Sequence, residues 1–167
     1  RILSGRQLQR LNFACSESRA RRRLRALFDH GLIERMPIAA RPTSDLPPFV
    51  YSLSPRGTAA LQEIGEEAPT GRASGCSLHT MRHRLAAAEF FVALQEATVR
   101  DRGLELLEWR HEEQLRIRRE GGSSVPERVT HPTLNKALPF LPDAYFQLRL
   151  ASGATLAFFV EIDLASH

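Results

Sequence analysis

The stretch Ser16–Gly31 constrains this chain more than any other. Ser16 is a plausible helix N-cap, and Glu17 suits the positive end of a helix dipole. Ala20, Leu24, Leu27 and Phe28 follow spacings of four, three and one, which makes a single apolar stripe. At about 100° per residue, Arg22 falls almost opposite Leu24, with Arg19 and Arg23 beside it. His30-Gly31 ends the pattern, because glycine accepts the left-handed C′ position. The spacing therefore predicts a helix that must pack along one side and present guanidinium groups on the other.

The flanking segments limit what that helix can pack against. Ser4 precedes Gly5–Asn12, where Leu8 and Leu11 suit a short capped helix. Leu32-Ile33-Glu34-Arg35-Met36 and Phe49-Val50-Tyr51-Ser52-Leu53 alternate as two strands. Between them, Pro37–Pro48 is a loop with four prolines, Arg41 and Asp45. Ser54-Pro55-Arg56-Gly57 opens a further helix through Ile64, with proline at its tolerated first position. Charge separates this region from the rest. Residues 1–65 hold 11 Arg and 5 acids, a net of +6, and residues 66–167 hold 11 Arg, one Lys and 14 acids, a net of −2. A basic half of that kind fits a polyanion-binding module.

Residues 66–78 are rich in Gly, Ser and polar groups and read as a linker. Thr80–Val99 contains neither Gly nor Pro, and places Met81, Leu85, Ala88 and Val92 on one helix face. Leu85, Phe91 and Val92 are expected to pack this helix on a following sheet. Leu104–Ile117 reads as a strand, Arg118–Leu141 as a polar loop, and Ala144–Leu150 with Thr155–Asp163 as a hairpin turning at Ala151-Ser152-Gly153. The apolar stretch around Ala157–Val160 is, like every apolar run in the chain, far short of the roughly 20 residues that cross a bilayer. Two cysteines, Cys15 and Cys76, make no disulfide framework, so a cytoplasmic location and no membrane partner are expected.

Two residue sets could carry chemistry. Asp143 opens one hairpin strand, and Glu161 and Asp163 close its neighbour, so the hairpin brings these carboxylates close. Clustered carboxylates suit Mg²⁺ and can activate water against a phosphodiester, with Asp143 and Glu161 as the metal ligands. The plainer reading is a turn-capping aspartate beside a charged strand end. Cys76, His79 and His83 have a Cys-x₂-His-x₃-His spacing, but a closed zinc site needs a fourth ligand that the sequence does not supply at suitable spacing.

The phrase Asp29-His30-Gly31-Leu32-Ile33-Glu34, followed by Leu53-Ser54-Pro55-Arg56-Gly57, resembles the signature of winged helix-turn-helix domains over residues 1–64. In such a domain a first helix precedes Leu3, so the chain is expected to start inside it. The resemblance implies duplex-DNA contact through Arg19, Arg22, Arg23 and Arg25, with Arg41 in the wing. Pro142-Asp143 followed by Glu161-Ile162-Asp163 resembles the motif of restriction-endonuclease-like nucleases, with Asp163 where the motif has lysine. The layout as a whole, through Trp109, Pro142-Asp143-Ala144 and Phe158–Asp163, resembles the replication-relaxation family. That family is tied to plasmid replication and DNA relaxation. The implied protein is α+β: a winged helix-turn-helix over 1–65, a linker over 66–78, and a C-terminally incomplete nuclease-like helix and mixed sheet over 79–167. Its expected role is binding double-stranded DNA in plasmid or mobile-element replication. The rivals are a Mg²⁺-dependent nuclease using Asp143, Glu161 and Asp163, and a homodimeric or ligand-sensing transcriptional regulator.

Overall fold

The computed structural model describes residues 2–12, 16–38, 47–66, 77–118, 124–125, 127–131, 133 and 135–164. The chain divides into two compact units, Arg1–Glu96 and Ala97–His167. Helices and small antiparallel sheets make it α+β.

The N-terminal unit begins with a two-residue strand, β1 (Leu3–Ser4), which leads directly into α1 (Gly5–Asn12). The junction is closed by a reciprocal cap. The Gln7 amide N–H donates to Ser4 Oγ at 3.1 Å, and the Ser4 N–H donates to Gln7 Oε1 at 2.9 Å. Next comes α2 (Glu17–Asp29), whose N-cap Ser16 accepts the Arg19 N–H. Gly31 follows at φ +68, the left-handed turn expected after this helix. Strands β2 (Ile33–Pro37) and β3 (Phe49–Leu53) pair antiparallel from Ile33↔Leu53 to Pro37↔Phe49, and β1 adds to the other side of β3.

Helix α3 (Pro55–Glu63) starts where the chain comes very close to itself. The N-cap Ser54 accepts the Gly57 N–H at 2.9 Å and donates to the Gly31 carbonyl at 2.5 Å. A Cβ at Gly57 would lie 2.0 Å from the Leu32 carbonyl oxygen. Only glycine fits, so the Ser-Pro-Arg-Gly phrase is a packing requirement between the end of α2 and the start of α3.

Helix α4 (Leu78–Arg100) departs from expectation. Leu85 packs into the N-terminal core, with Ile2, Ile38 and Val50, flanked by Met36 and Met81. The expected placement of Leu85 on the following sheet is thus corrected, and Phe91 is half-buried rather than buried. Polar contacts fix this arrangement. Gln7 is 4% exposed, and its amide nitrogen donates to the Leu85 carbonyl at 3.0 Å and to Glu89 at 3.1 Å. Arg10 grips Glu96 with two parallel bonds of 2.8 and 2.7 Å and also pairs with Glu89. These bonds to Glu96 and Glu89 push the guanidinium pKa above its already high ordinary value.

In the C-terminal unit, β4 (Leu104–His111), β9 (Ala144–Leu150) and β10 (Thr155–Val160) form an antiparallel sheet in the order β10-β9-β4. Trp109, Phe146 and Phe158 stack across its three strands, with centroid separations of 6.1 and 4.8 Å. Strand β4 ends at His111, earlier than expected, because Glu112–Leu115 forms one turn, α5, whose Gln114 side chain accepts the His111 N–H. The segment expected to be a loop contains two small ladders, β5 (Ile117–Arg118) with β6 (Ser124–Val125), and β7 (Glu127–His131) with β8 (Lys136–Phe140).

Gly57→Ala should destabilise the N-terminal unit by about 1–3 kcal/mol, because the clash is with backbone and cannot be relieved by a rotamer change. Thermal unfolding checks this, and an unchanged Tm would contradict the close approach.

Candidate nucleic-acid interface and the carboxylate end of the sheet

Helix α2 is anchored by Ala20 and Leu24, which are 2% and 6% exposed. Every other residue of the helix is exposed. Arg19, Arg22 and Arg23 lie on the side away from Leu24, as the spacing requires. Arg22 makes no ion pair among the described residues. Arg25 differs. Its Nε donates to both carboxylate oxygens of Asp29, one turn on, at 2.9 Å. Arg21 is likewise paired with Glu17. Exposed pairs of this spacing are worth a few tenths of a kcal/mol, so a phosphate can displace either carboxylate. Arg41 lies outside the described residues.

The carboxylate end of the C-terminal sheet is built differently. Val160 pairs with Ala144, so Asp143 and Glu161 are brought side by side at the same end of the hairpin. The Asp143 N–H donates to the Val160 carbonyl at 2.9 Å, and Asp143 Oδ2 accepts the Ile162 N–H at 2.6 Å. The Asp143 carbonyl in turn accepts the Glu112 N–H at 3.0 Å. Asp143 therefore ties three segments together: the end of β4, the start of β9 and the exit from β10. Glu161 and Asp163 are exposed. Among the described residues, no three His, Cys, Asp or Glu side chains gather as a metal-holding group.

Arg149, the nearest hairpin cation in sequence, is not available to stand in for the absent lysine. It lies six residues along β9 from Asp143, about 20 Å at roughly 3.3 Å per residue, and pairs with Glu105 at 2.9 Å. Sequence reasoning missed the nearness of His111 and Glu112. The His111↔Ala144 register places them beside Asp143, and Trp109 Nε1 donates to His111 Nδ1 at 3.0 Å. The Glu112 side chain is paired with Arg116. Of the candidate zinc ligands, Cys76 lies outside the described residues, and His79 and His83 sit in the first turns of α4.

The arrangement thus defines an α+β protein with an arginine-faced helix in one unit and a carboxylate-cornered antiparallel sheet in the other. The chain belongs to the replication-relaxation family, which matches it over residues 1–167, and membership ties it to replication-related processes. No curated protein and no solved structure matches it. Among the described residues, no helix is long and apolar enough to cross a membrane.

Asp143→Ala should cost about 1–3 kcal/mol by leaving the Ile162 N–H without its acceptor. The loss of Tm should be the same in EDTA as in Mg²⁺. A loss seen only with Mg²⁺ present would show that the carboxylate acts through a metal instead.

Proposed function

We propose that this chain binds double-stranded DNA through α2 and serves plasmid or mobile-element replication as a member of its family. The observation that carries the reading is the division of α2 into two sides. Ala20 and Leu24 hold it in place, and Arg19, Arg22 and Arg23 are left in solvent. The order α1, α2, then the β2–β3 hairpin with β1 on its edge is read as a winged helix-turn-helix. In that arrangement the second helix enters the major groove. Arg22 needs no rearrangement to reach a phosphate or a guanine edge, and Arg25 exchanges Asp29 for phosphate. We read the C-terminal sheet as non-cleaving. Its Asp143 carboxylate serves the fold, and a metal-bound water would still need a charge stabiliser at the scissile phosphate.

Four α2 arginines that each neutralise one phosphate should give a log–log salt slope of about −4 for duplex binding. The Arg22→Ala/Arg23→Ala double variant should weaken binding and shallow the slope to about −2. Its circular dichroism should be unchanged, because both side chains are exposed. Undiminished duplex affinity in that variant would rule out α2 as the docking element.

A further inference from the structure

A second surface of the N-terminal unit shares only Arg25, at its rim, with the duplex reading. Helices α1 and α2 and one face of the β2–β3 hairpin enclose an open groove of about 680 Å³, within the roughly 300–1,000 Å³ of ordinary ligand clefts. The hairpin register explains its lining. Arg35 lies opposite Tyr51, and Pro37 opposite Phe49, so Arg35, Tyr51 and Phe49 all project from the same sheet face. Phe28 joins them from the last turn of α2. The Arg35 guanidinium carbon sits 4.7 Å from the Phe49 centroid and 5.0 Å from the Phe28 centroid. Phe28 and Phe49 are 37% and 38% exposed, so part of each ring faces solvent.

The groove is also cationic. Four arginines line it, at 6, 21, 25 and 35, against a single acid, Glu17. Glu17 pairs with Arg21, whereas Arg6 and Arg35 make no ion pair among the described residues. The two rings fix the position of Arg35 while its N–H groups stay unused, which prepares it for an anionic oxygen. Aromatic faces set among guanidinium groups are the means by which proteins hold unpaired bases and their phosphates. An undistorted duplex offers only base edges in its grooves, so it can use ring faces in this way only by unstacking its bases.

We propose that this groove binds a short unpaired stretch of nucleic acid. Bases stack on Tyr51 and on the outer faces of Phe28 and Phe49, and Arg6 and Arg35 take the phosphates. The site is separate from the Arg19–Arg22–Arg23 side of α2, so one unit would hold duplex and single strand on different surfaces. That pairing suits a protein acting where duplex and melted DNA adjoin.

The test uses the full chain, fluorescein-labelled oligo(dT) and a labelled duplex, with anisotropy as the readout. Phe49→Ala should weaken oligo(dT) binding about tenfold, the usual effect of losing one base-stacking side chain, Arg35→Ala should weaken it by removing a phosphate contact, and both should leave duplex affinity within about twofold. Arg22→Ala/Arg23→Ala should do the reverse, so failure of the groove and failure of the α2 reading give different patterns. Phe49→Leu, which keeps apolar bulk, guards against misfolding and should still lose most of the oligo(dT) affinity. Arg35→Lys should bind oligo(dT) less well than wild type, because an ammonium keeps charge without the planar stack. The proposal is overturned if wild type does not bind oligo(dT). It is equally overturned if the groove variants weaken both DNAs alike, or if polyglutamate displaces oligo(dT) at equal charge concentration.

Discussion

The buried amide of Gln7 holds the N-terminal unit together. It closes the start of α1 through Ser4 and reaches α4 through the Leu85 carbonyl, so one side chain joins segments 78 residues apart. A buried amide left without partners would cost a few kcal/mol, and these bonds remove that cost only in one register of α4. Leu85 then completes a core with Ile2, Ile38 and Val50. Arg10 extends the same contact outward to Glu89 and Glu96. With α1 fixed in this way, Ala20 and Leu24 have a defined surface to pack on, and the orientation of the α2 arginines follows.

The two sides of α2 have different chemistry for a geometric reason. The side opposite Leu24 carries charge on an open surface, where guanidinium groups meet whatever polyanion approaches. The flank nearer Leu24 faces the hairpin, and there Arg35 of β2 lies against both Phe28 of α2 and Phe49 of β3. The β-strand period of two decides which hairpin residues reach that flank. Shifting β2 by one residue would send Arg35 to the core side and Met36 outward, which the burial of Ile38 and Val50 forbids.

Local signals in the sequence were legible where the physics is local. The Ser16 cap, the left-handed Gly31, the Ser54 cap and the tight turn of the β9–β10 hairpin each depend on residues within a few positions of one another. The side-by-side placement of Asp143 and Glu161 was legible too, because a tight turn fixes register. What the sequence did not disclose depends on distant pairs. Nothing near Gln7 indicates that its amide will meet Leu85, so Leu85 was expected on the wrong partner. Nothing near Asp143 indicates that its carboxylate oxygen will accept the Ile162 N–H. Strand β1, two residues long, has no periodicity to detect and exists only because β3 offers it an edge. The α5 turn was hidden because Trp109–Ile117 alternates well enough to pass for one strand.

Backbone amide NMR of the full chain titrated with a duplex tests the central claim most directly, since it locates the contact without altering any residue. The account predicts that shifts concentrate on the exposed side of α2, around Arg19, Arg22 and Arg23, and leave the Asp143 end of β9 and β10 in place. Perturbations confined to residues 97–164, with α2 amides unmoved at saturation, would contradict it.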